Sequence, residues 1–262
     1  MSAPVHLLEP GALDGAAEGS TLTLDGEEGR HATTVRRTRV GERLDLADGA
    51  GAVAQCVVLE VGRGSLLARV DRVDRVPVRL PRLVLVQALA KGGRDEQAVE
   101  TATELGVDAV VPWQARRSVS VWAGERAERG RRRWEATARA AAKQSRRADV
   151  PVVEPLVDLR GLAALVGAAG TAALVLHEDA DLALAAALER LPGAVGGTAA
   201  GAAPERLCVV VGPEGGIDPD EVAALVAAGG HAVRLGPQVL RTSSAGPAAL
   251  AVLSQLTGRW DG

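Results

Sequence analysis

The run Leu207-Cys208-Val209-Val210-Val211-Gly212-Pro213-Glu214-Gly215-Gly216-Ile217-Asp218-Pro219-Asp220-Glu221 decides how this chain folds. Its first five residues are uniformly apolar, as expected of a strand covered on both faces. A glycine-rich turn follows. Asp218, Pro219 and Glu221 then open a helix: the aspartate caps, the proline suits the first turn, and the glutamate completes a capping box. Strand, turn and helix in that order predict a parallel α/β unit.

The alternation continues on both sides. Leu83 to Leu89 is another fully apolar run, and Asp95 to Leu105 has helical spacing, with Ala98, Ala102 and Leu105 on one face and Gly106 as its stop. Ala109 to Val111, Ala172 to Leu176 and Ala232 to Leu235 read as further strands. Ala127 to Arg146 and Ala248 to Leu256 read as helices. Residues 76–262 therefore predict one α/β domain with a mainly parallel sheet. Upstream the pattern is different. Val5 to Leu8, Thr21 to Leu24, Arg43 to Ala47, Ala52 to Val61 and Ser65 to Val73 are short β-compatible runs separated by glycine-containing turns, with room for a short helix over Glu27 to Arg37. Residues 1–75 predict a small β-barrel domain. Leu191 to Pro204 is nearly all Gly, Ala and Pro and reads as a mobile loop.

Composition narrows the chemistry. Of 262 residues 47% are hydrophobic, yet Phe and Tyr are absent, so the core must be Val, Leu and Ala. Base stacking would have to use Trp113, Trp122, Trp134 or Trp260. The net charge of −3 does not advertise nucleic acid, but all basic residues except Lys91 and Lys143 are Arg, whose planar fork suits phosphate. Cys56 and Cys208 lie in apolar runs and read as buried thiols of a reducing compartment. No secretory signal and no membrane-length apolar run is present, which predicts a cytoplasmic protein without a membrane partner. His6, His31, His177 and His231 are too scattered in sequence to suggest a metal site, so no metal is expected.

Two glycine-rich turns follow apolar strands: the one quoted above, and Leu235-Gly236-Pro237-Gln238-Val239-Leu240-Arg241-Thr242-Ser243-Ser244-Ala245. Ligands of open α/β sheets bind beyond the carboxyl ends of strands. No dinucleotide fingerprint or Walker lysine is present. Glu214, Asp218, Asp220 and Glu221 would repel phosphate and favour a ligand with hydroxyls and a positive centre.

The pair of turns resembles that of SPOUT methyltransferases, and in detail the chain resembles the family of ribosomal RNA small subunit methyltransferase E. Further matches are His31-Ala32-Thr33-Thr34-Val35-Arg36-Arg37 with Gly41-Glu42, Lys91-Gly92-Gly93-Arg94, Ala102 to Val107, Lys143 to Arg147 with Pro151, and His177-Glu178. The resemblance implies an N-terminal PUA-like β-barrel that docks RNA and a SPOUT α/β domain with a C-terminal trefoil knot. It implies S-adenosylmethionine (SAM) as cofactor, a homodimer, and methylation of N3 of a uridine in 16S ribosomal RNA, presented as naked RNA or in the assembled small subunit. A SPOUT enzyme acting on transfer RNA and a non-catalytic RNA- or ribosome-binding protein are the alternatives.

The cofactor residues the resemblance implies are Leu176, His177, Glu178, Gly212, Pro213, Glu214, Gly215, Gly216, Leu235, Gly236, Leu240, Arg241, Thr242 and Ala245. Two departures stand out: Val5-His6-Leu7-Leu8 lacks the family's N-terminal Arg, and Ser243-Ser244 replaces its Glu-Thr pair. Uracil N3 is a poor nucleophile until its proton leaves, so a base or a cation that stabilises the anion is needed. Arg94, Arg146 and Arg241 are the candidates for the second task, and Glu104 for the base or for an anchor of one of these arginines. RNA contacts are expected from Arg36, Arg37, Arg39, Arg116, Arg131, Arg132, Arg133 and Arg147, with Trp134 beside its arginine run suited to stacking.

Overall fold

The computed structural model describes residues 3–192 and 202–261. It divides into two compact units: one runs to Val78 and takes in Ala142–Val150, the other comprises Arg79–Ala141 and the chain from Pro151 onward. The loop read over Leu191 to Pro204 falls mainly outside the described residues.

The first unit is built on strands β1 (Val5–Leu7), β2 (Thr21–Leu24), β3 (Arg43–Ala47), β4 (Ala52–Val61) and β5 (Leu66–Arg75), with the short helix α1 (Gly26–Arg30) continuing as a wider π turn over His31–Val35. They form one five-stranded sheet in the order β1-β3-β4-β5-β2. β1 pairs parallel with β3 and the remaining pairs are antiparallel. Alternation along β3, β4 and β5 turns Leu44, Leu46, Ala54, Cys56, Val58, Ala68 and Val70 into one core. Gly29 lets α1 lie on this sheet: a Cβ there would stand 2.6 Å from the Gly64 carbonyl oxygen and 2.7 Å from that of Leu24. Ala142–Val150 belongs to this unit although it lies far beyond residue 75 in sequence. This segment meets the sheet edge through backbone bonds from Gly51 to Ala148 and from Val150 to Gly49.

Glu28 on α1 accepts hydrogen bonds from His6 Nδ1 at 2.9 Å and, on both of its oxygens, from Lys143 Nζ at 2.8 Å. Burial alone would raise its pKa, but the bonds from His6 and Lys143 and their charge outweigh this and lower it to about 2. Since that value lies below the ordinary 4.5, the ionised carboxylate stabilises the fold at neutral pH. The contribution is lost as pH falls from about 4.5 through about 2. Glu28→Gln should cost about 2 kcal/mol at pH 7 in metal-free denaturant titrations. Its penalty should shrink as pH falls through that window, and a penalty constant from pH 7 to 2.5 would contradict the assignment.

The second unit comprises β6 (Arg82–Ala88), α2 (Arg94–Glu104), β7 (Ala109–Trp113), α3 (Glu125–Gln144, whose last residues join the first unit), β8 (Val152–Val153), α4 (Leu159–Val166), β9 (Thr171–Leu176), α5 (Leu184–Arg190), β10 (Arg206–Val211), α6 (Pro219–Ala227), β11 (His231–Val233) and α7 (Thr242–Leu256). Six strands pair in the order β11-β9-β10-β6-β7-β8, and every pair is parallel. Val84, Val86, Val175, Cys208, Val210 and Val111 fill the core on one side of the sheet. The capping box at Asp218 is present as expected: Asp218 accepts from Asp220 N at 3.1 Å, and Glu221 accepts from Asp218 N at 3.3 Å. Both thiols are buried, and burial pushes Cys56 up to about 12 and Cys208 up to about 11.

Three elements were not expected from the sequence. β8 has only two residues, while α4 and α5 are helices of eight and seven residues, the first burying Leu162 and Val166 and the second Leu184, Ala187 and Leu188. α7 begins six residues earlier than its reading from Ala248, because Pro247 is accommodated inside the helix. No helix among the described residues is long and apolar enough to cross a membrane.

Candidate functional site

β9, β10 and β11 are neighbours in the sheet, so the loops leaving their carboxyl ends converge. Between them lies a cavity of 670 Å³. Leu176, His177, Glu178 and Asp179 contribute from the first loop. Gly212, Pro213, Glu214, Gly215 and Gly216 contribute from the second. Leu235, Gly236, Leu240, Arg241, Thr242 and Ala245 come from the third, so every residue to which the resemblance gave a cofactor role lies on this one surface. Sequence reading missed Asp179, Arg117, Arg234, Ile217 and Gln238, which also line it. Asp179 was recoverable from its place beside His177-Glu178, whereas Arg117, next to Arg116 in sequence, reaches the cavity only through tertiary folding.

Hydrogen bonds fix the second and third loops to each other. Thr242 Oγ1 donates to the Gly212 carbonyl at 2.7 Å and accepts from Gln87 Nε2 at 2.9 Å, joining the end of β6, the turn after β10 and the start of α7. Gln87 is fully buried. The Gly212 turn closes through Gly216 N to Pro213 O at 2.9 Å, with Gly216 in the left-handed region at φ 71°.

Glu214 Oε1 accepts from Lys91 N at 3.1 Å and from Arg94 Nη1 at 3.0 Å. Burial works to raise its pKa, but these donors prevail and hold the carboxyl below its usual range. It is therefore ionised at neutral pH and a weak base. Arg94 lines the cavity with its charge already matched by Glu214. Arg241 also lines it, and among the described residues no ion pair engages it.

The other two catalytic candidates are elsewhere. Glu104 is exposed at the opposite end of α2 from Arg94, about 15 Å away along a helix of this length, and does not line the cavity. Arg146 belongs to the first unit, adopts a left-handed φ of 58° and lowers the pKa of Asp45 there, partly offsetting the effect of burial; it does not line the cavity.

Two further expectations change. Asp218, Asp220 and Glu221 do not face the cavity: Arg116 Nη1 contacts Asp218 at 2.8 Å and Asp220 at 3.0 Å, and Glu221 accepts from Arg116 N at 2.8 Å. Trp134 is fully buried and meets Trp122 edge-on at 5.2 Å, so it presents no ring for stacking a base. Four of the arginines expected to contact RNA are held by carboxylates: Arg116 as above, Arg131 by Glu128 and Glu135, Arg133 by Glu96, and Arg147 by Asp149. Arg36, Arg37, Arg39 and Arg132 are exposed and enter no ion pair among the described residues.

Comparison with known proteins matches residues 78–254 to an RNA methyltransferase domain and residues 24–71 to an RNA methyltransferase PUA domain. A ribosomal RNA small subunit methyltransferase E from Mycobacterium bovis is 50% identical over 93% of this chain and 89% of its own length. The chain belongs to the ribosomal RNA small subunit methyltransferase E family. The Bacillus subtilis methyltransferase E is 30% identical, with 92% of each chain covered. A Neisseria gonorrhoeae methyltransferase E solved with S-adenosyl methionine superposes with a TM-score of 0.78 at 25% identity, covering 97% of this chain and 98% of that one. A Legionella pneumophila methyltransferase in complex with SAM gives 0.80 at 26% identity, with the same coverage. Membership in the methyltransferase E family agrees with the parallel α/β unit and the PUA match seen here.

Proposed function

We propose that the chain uses SAM to methylate N3 of a uridine in 16S ribosomal RNA, with the three-loop cavity as the SAM site. The observation that carries this reading is the convergence of the loops after β9, β10 and β11 on one cavity that also receives Arg94 and Arg241. Its chemistry fits the cofactor. Leu176, Val211, Ile217, Leu235 and Leu240 offer apolar walls to an adenine, while Glu178, Asp179 and Glu214 offer carboxylates to hydroxyls and a positive centre. When bound, SAM supplies an electrophilic methyl group. The chain's own contribution is to position the uracil and stabilise the charge that spreads onto O2 and O4 when the N3 proton leaves. Glu214, ionised and occupied by Arg94, is a poor base, so the proton passes to solvent and Arg241 stabilises the anion. The trefoil knot, the homodimer and a cytoplasmic location belong to the same reading by family membership, and the Gln87–Thr242–Gly212 bonds are in keeping with a knotted α7.

Calorimetry with SAM and S-adenosylhomocysteine, and nucleoside mass spectrometry of ribosomal RNA from a deletion strain, test it. Loss of 3-methyluridine from 16S RNA, restored by the gene, is the expected result. A mark lost from transfer RNA would redirect the substrate, and no binding of either ligand at millimolar concentration would leave a non-catalytic RNA binder.

The first unit is assigned RNA docking, and exposed Arg36, Arg37 and Arg39 are the contacts with charge to offer. Truncation at residue 75 would strip Ala142–Val150 of the sheet it joins, so charge removal is the sharper test. Changing all three to Ser should weaken binding to small-subunit particles and reduce the logarithmic salt slope by about 2 to 3. SAM affinity should not change. An unaltered salt slope would remove these residues from the interface.

A further inference from the structure

β1 and α1 bring together side chains that lie 22 to 25 residues apart in sequence. His6 points from β1 into the first unit and is fully buried. Glu28 and His31, three residues apart on consecutive helical turns, face it from the other side. One ligating atom from each of the three lies within 4.8 Å of the other two. The His6 and His31 rings meet edge to face with centroids 5.9 Å apart. Sequence spacing, by which the histidines are too scattered to suggest a metal site, does not reveal this grouping.

A self-contained ion-pair network satisfies its buried polar atoms. This one does not: His6 Nε2 and His31 Nδ1 are buried without a hydrogen-bond partner. Two imidazoles and a carboxylate are the donor set of a borderline-soft divalent metal, zinc above all. Zinc ligand bonds of about 2.0 to 2.2 Å put the ligand atoms roughly 3.4 Å apart. The present spread therefore closes with movements of about an ångström. Glu28 and His31 are only partly buried, which gives an ion a way in. The ammonium of Lys143, 2.8 Å from both Glu28 oxygens, provides positive charge where a metal ion would sit.

We infer that His6, Glu28 and His31 form a zinc-class divalent metal site, for which the Lys143 ammonium competes. Metal binding displaces Lys143 from Glu28 and fastens β1 to α1, so the ion strengthens the first unit and takes no part in the cavity's chemistry.

The test uses the tag-free full chain. Calorimetric titration with Zn2+ should show one equivalent bound, and Co2+ should develop intense visible absorption bands. His31→Ala should weaken Zn2+ binding at least about tenfold, since loss of even an outer-shell partner costs that much. Lys143→Met should strengthen it, because the competing cation is gone. Zn2+ should raise the thermal midpoint of the wild type and leave that of His31→Ala unmoved, with SAM affinity equal in both. Zn2+ affinity in His31→Ala equal to wild type would overturn the site. If either variant fails to fold, the wild-type Co2+ spectrum decides: intense bands support the site and their absence overturns it.

Discussion

Replacing Gly212 with alanine should lower SAM affinity by more than tenfold and the thermal midpoint by a few degrees, while Gly215→Ala leaves both near wild type. The two glycines belong to one turn, and their surroundings separate them. A Cβ on Gly212 would lie 2.6 Å from Ile217 Cγ1, 3.1 Å from Ile217 N and 3.2 Å from the Gly216 carbonyl carbon. Two of these are backbone atoms, so relief requires the turn itself to move. Overpacking of this kind costs about 1–3 kcal/mol, which is a few degrees for a unit of this size. The same turn supplies the carbonyl that Thr242 binds at 2.7 Å, so a displaced Gly212 loosens two walls of the cavity together. At Gly215 a Cβ finds Arg117 Cβ at 3.5 Å, an ordinary contact with a side chain. Differential scanning fluorimetry with and without SAM reads both effects. Equal SAM affinity in the two variants would show that the turn's backbone position does not shape the site.

That contrast marks what the sequence could tell. The strands whose loops build the cavity were legible because Leu207 to Val211 and Ala172 to Leu176 are unbroken apolar runs, and burial on both faces leaves no other composition for them. The capping box at Asp218 is local chemistry and was read to the residue. What escaped depends on distant partners. Whether Arg116 contacts RNA or neutralises Asp218 and Asp220 is decided by residues about a hundred positions away. Trp134 sits in an arginine run that looks like a stacking surface, but the helix turns its indole inward against Trp122. Glu104 and Arg94 share a helix, and ten residues of rise put them at opposite ends of it. The cluster of His6, Glu28 and His31 was invisible for the same reason, since β1 reaches α1 only once the sheet has formed.

Arg241→Ala should reduce turnover on small-subunit particles about 10²- to 10³-fold, the usual loss for one group that stabilises a developing anion. The cavity receives several cations, and their partners rank them. Arg94 spends its charge on Glu214 at 3.0 Å, and Arg117 on Asp218 at 3.4 Å and on the Gly215 carbonyl at 3.1 Å. Arg241 has no such partner among the described residues, so its guanidinium is available to a negative charge that exists only while N3 is deprotonated. An interaction of that kind lowers kcat more than it changes ground-state binding. The substitution also spares the local fold. Arg241 contributes to the start of α7 through its carbonyl, which accepts from Ser244 N at 2.8 Å and Ala245 N at 2.9 Å, and alanine keeps that group. Arg241→Lys retains the charge but not the planar fork and should fall between the two, at least about tenfold below wild type. Arg234 lines the same cavity and provides the control. If Arg234→Ala loses turnover and Arg241→Ala does not, the anion forms on the other side of the cavity. If SAM affinity falls as far as turnover in Arg241→Ala, the residue shapes the cofactor loop and does not act on the uracil.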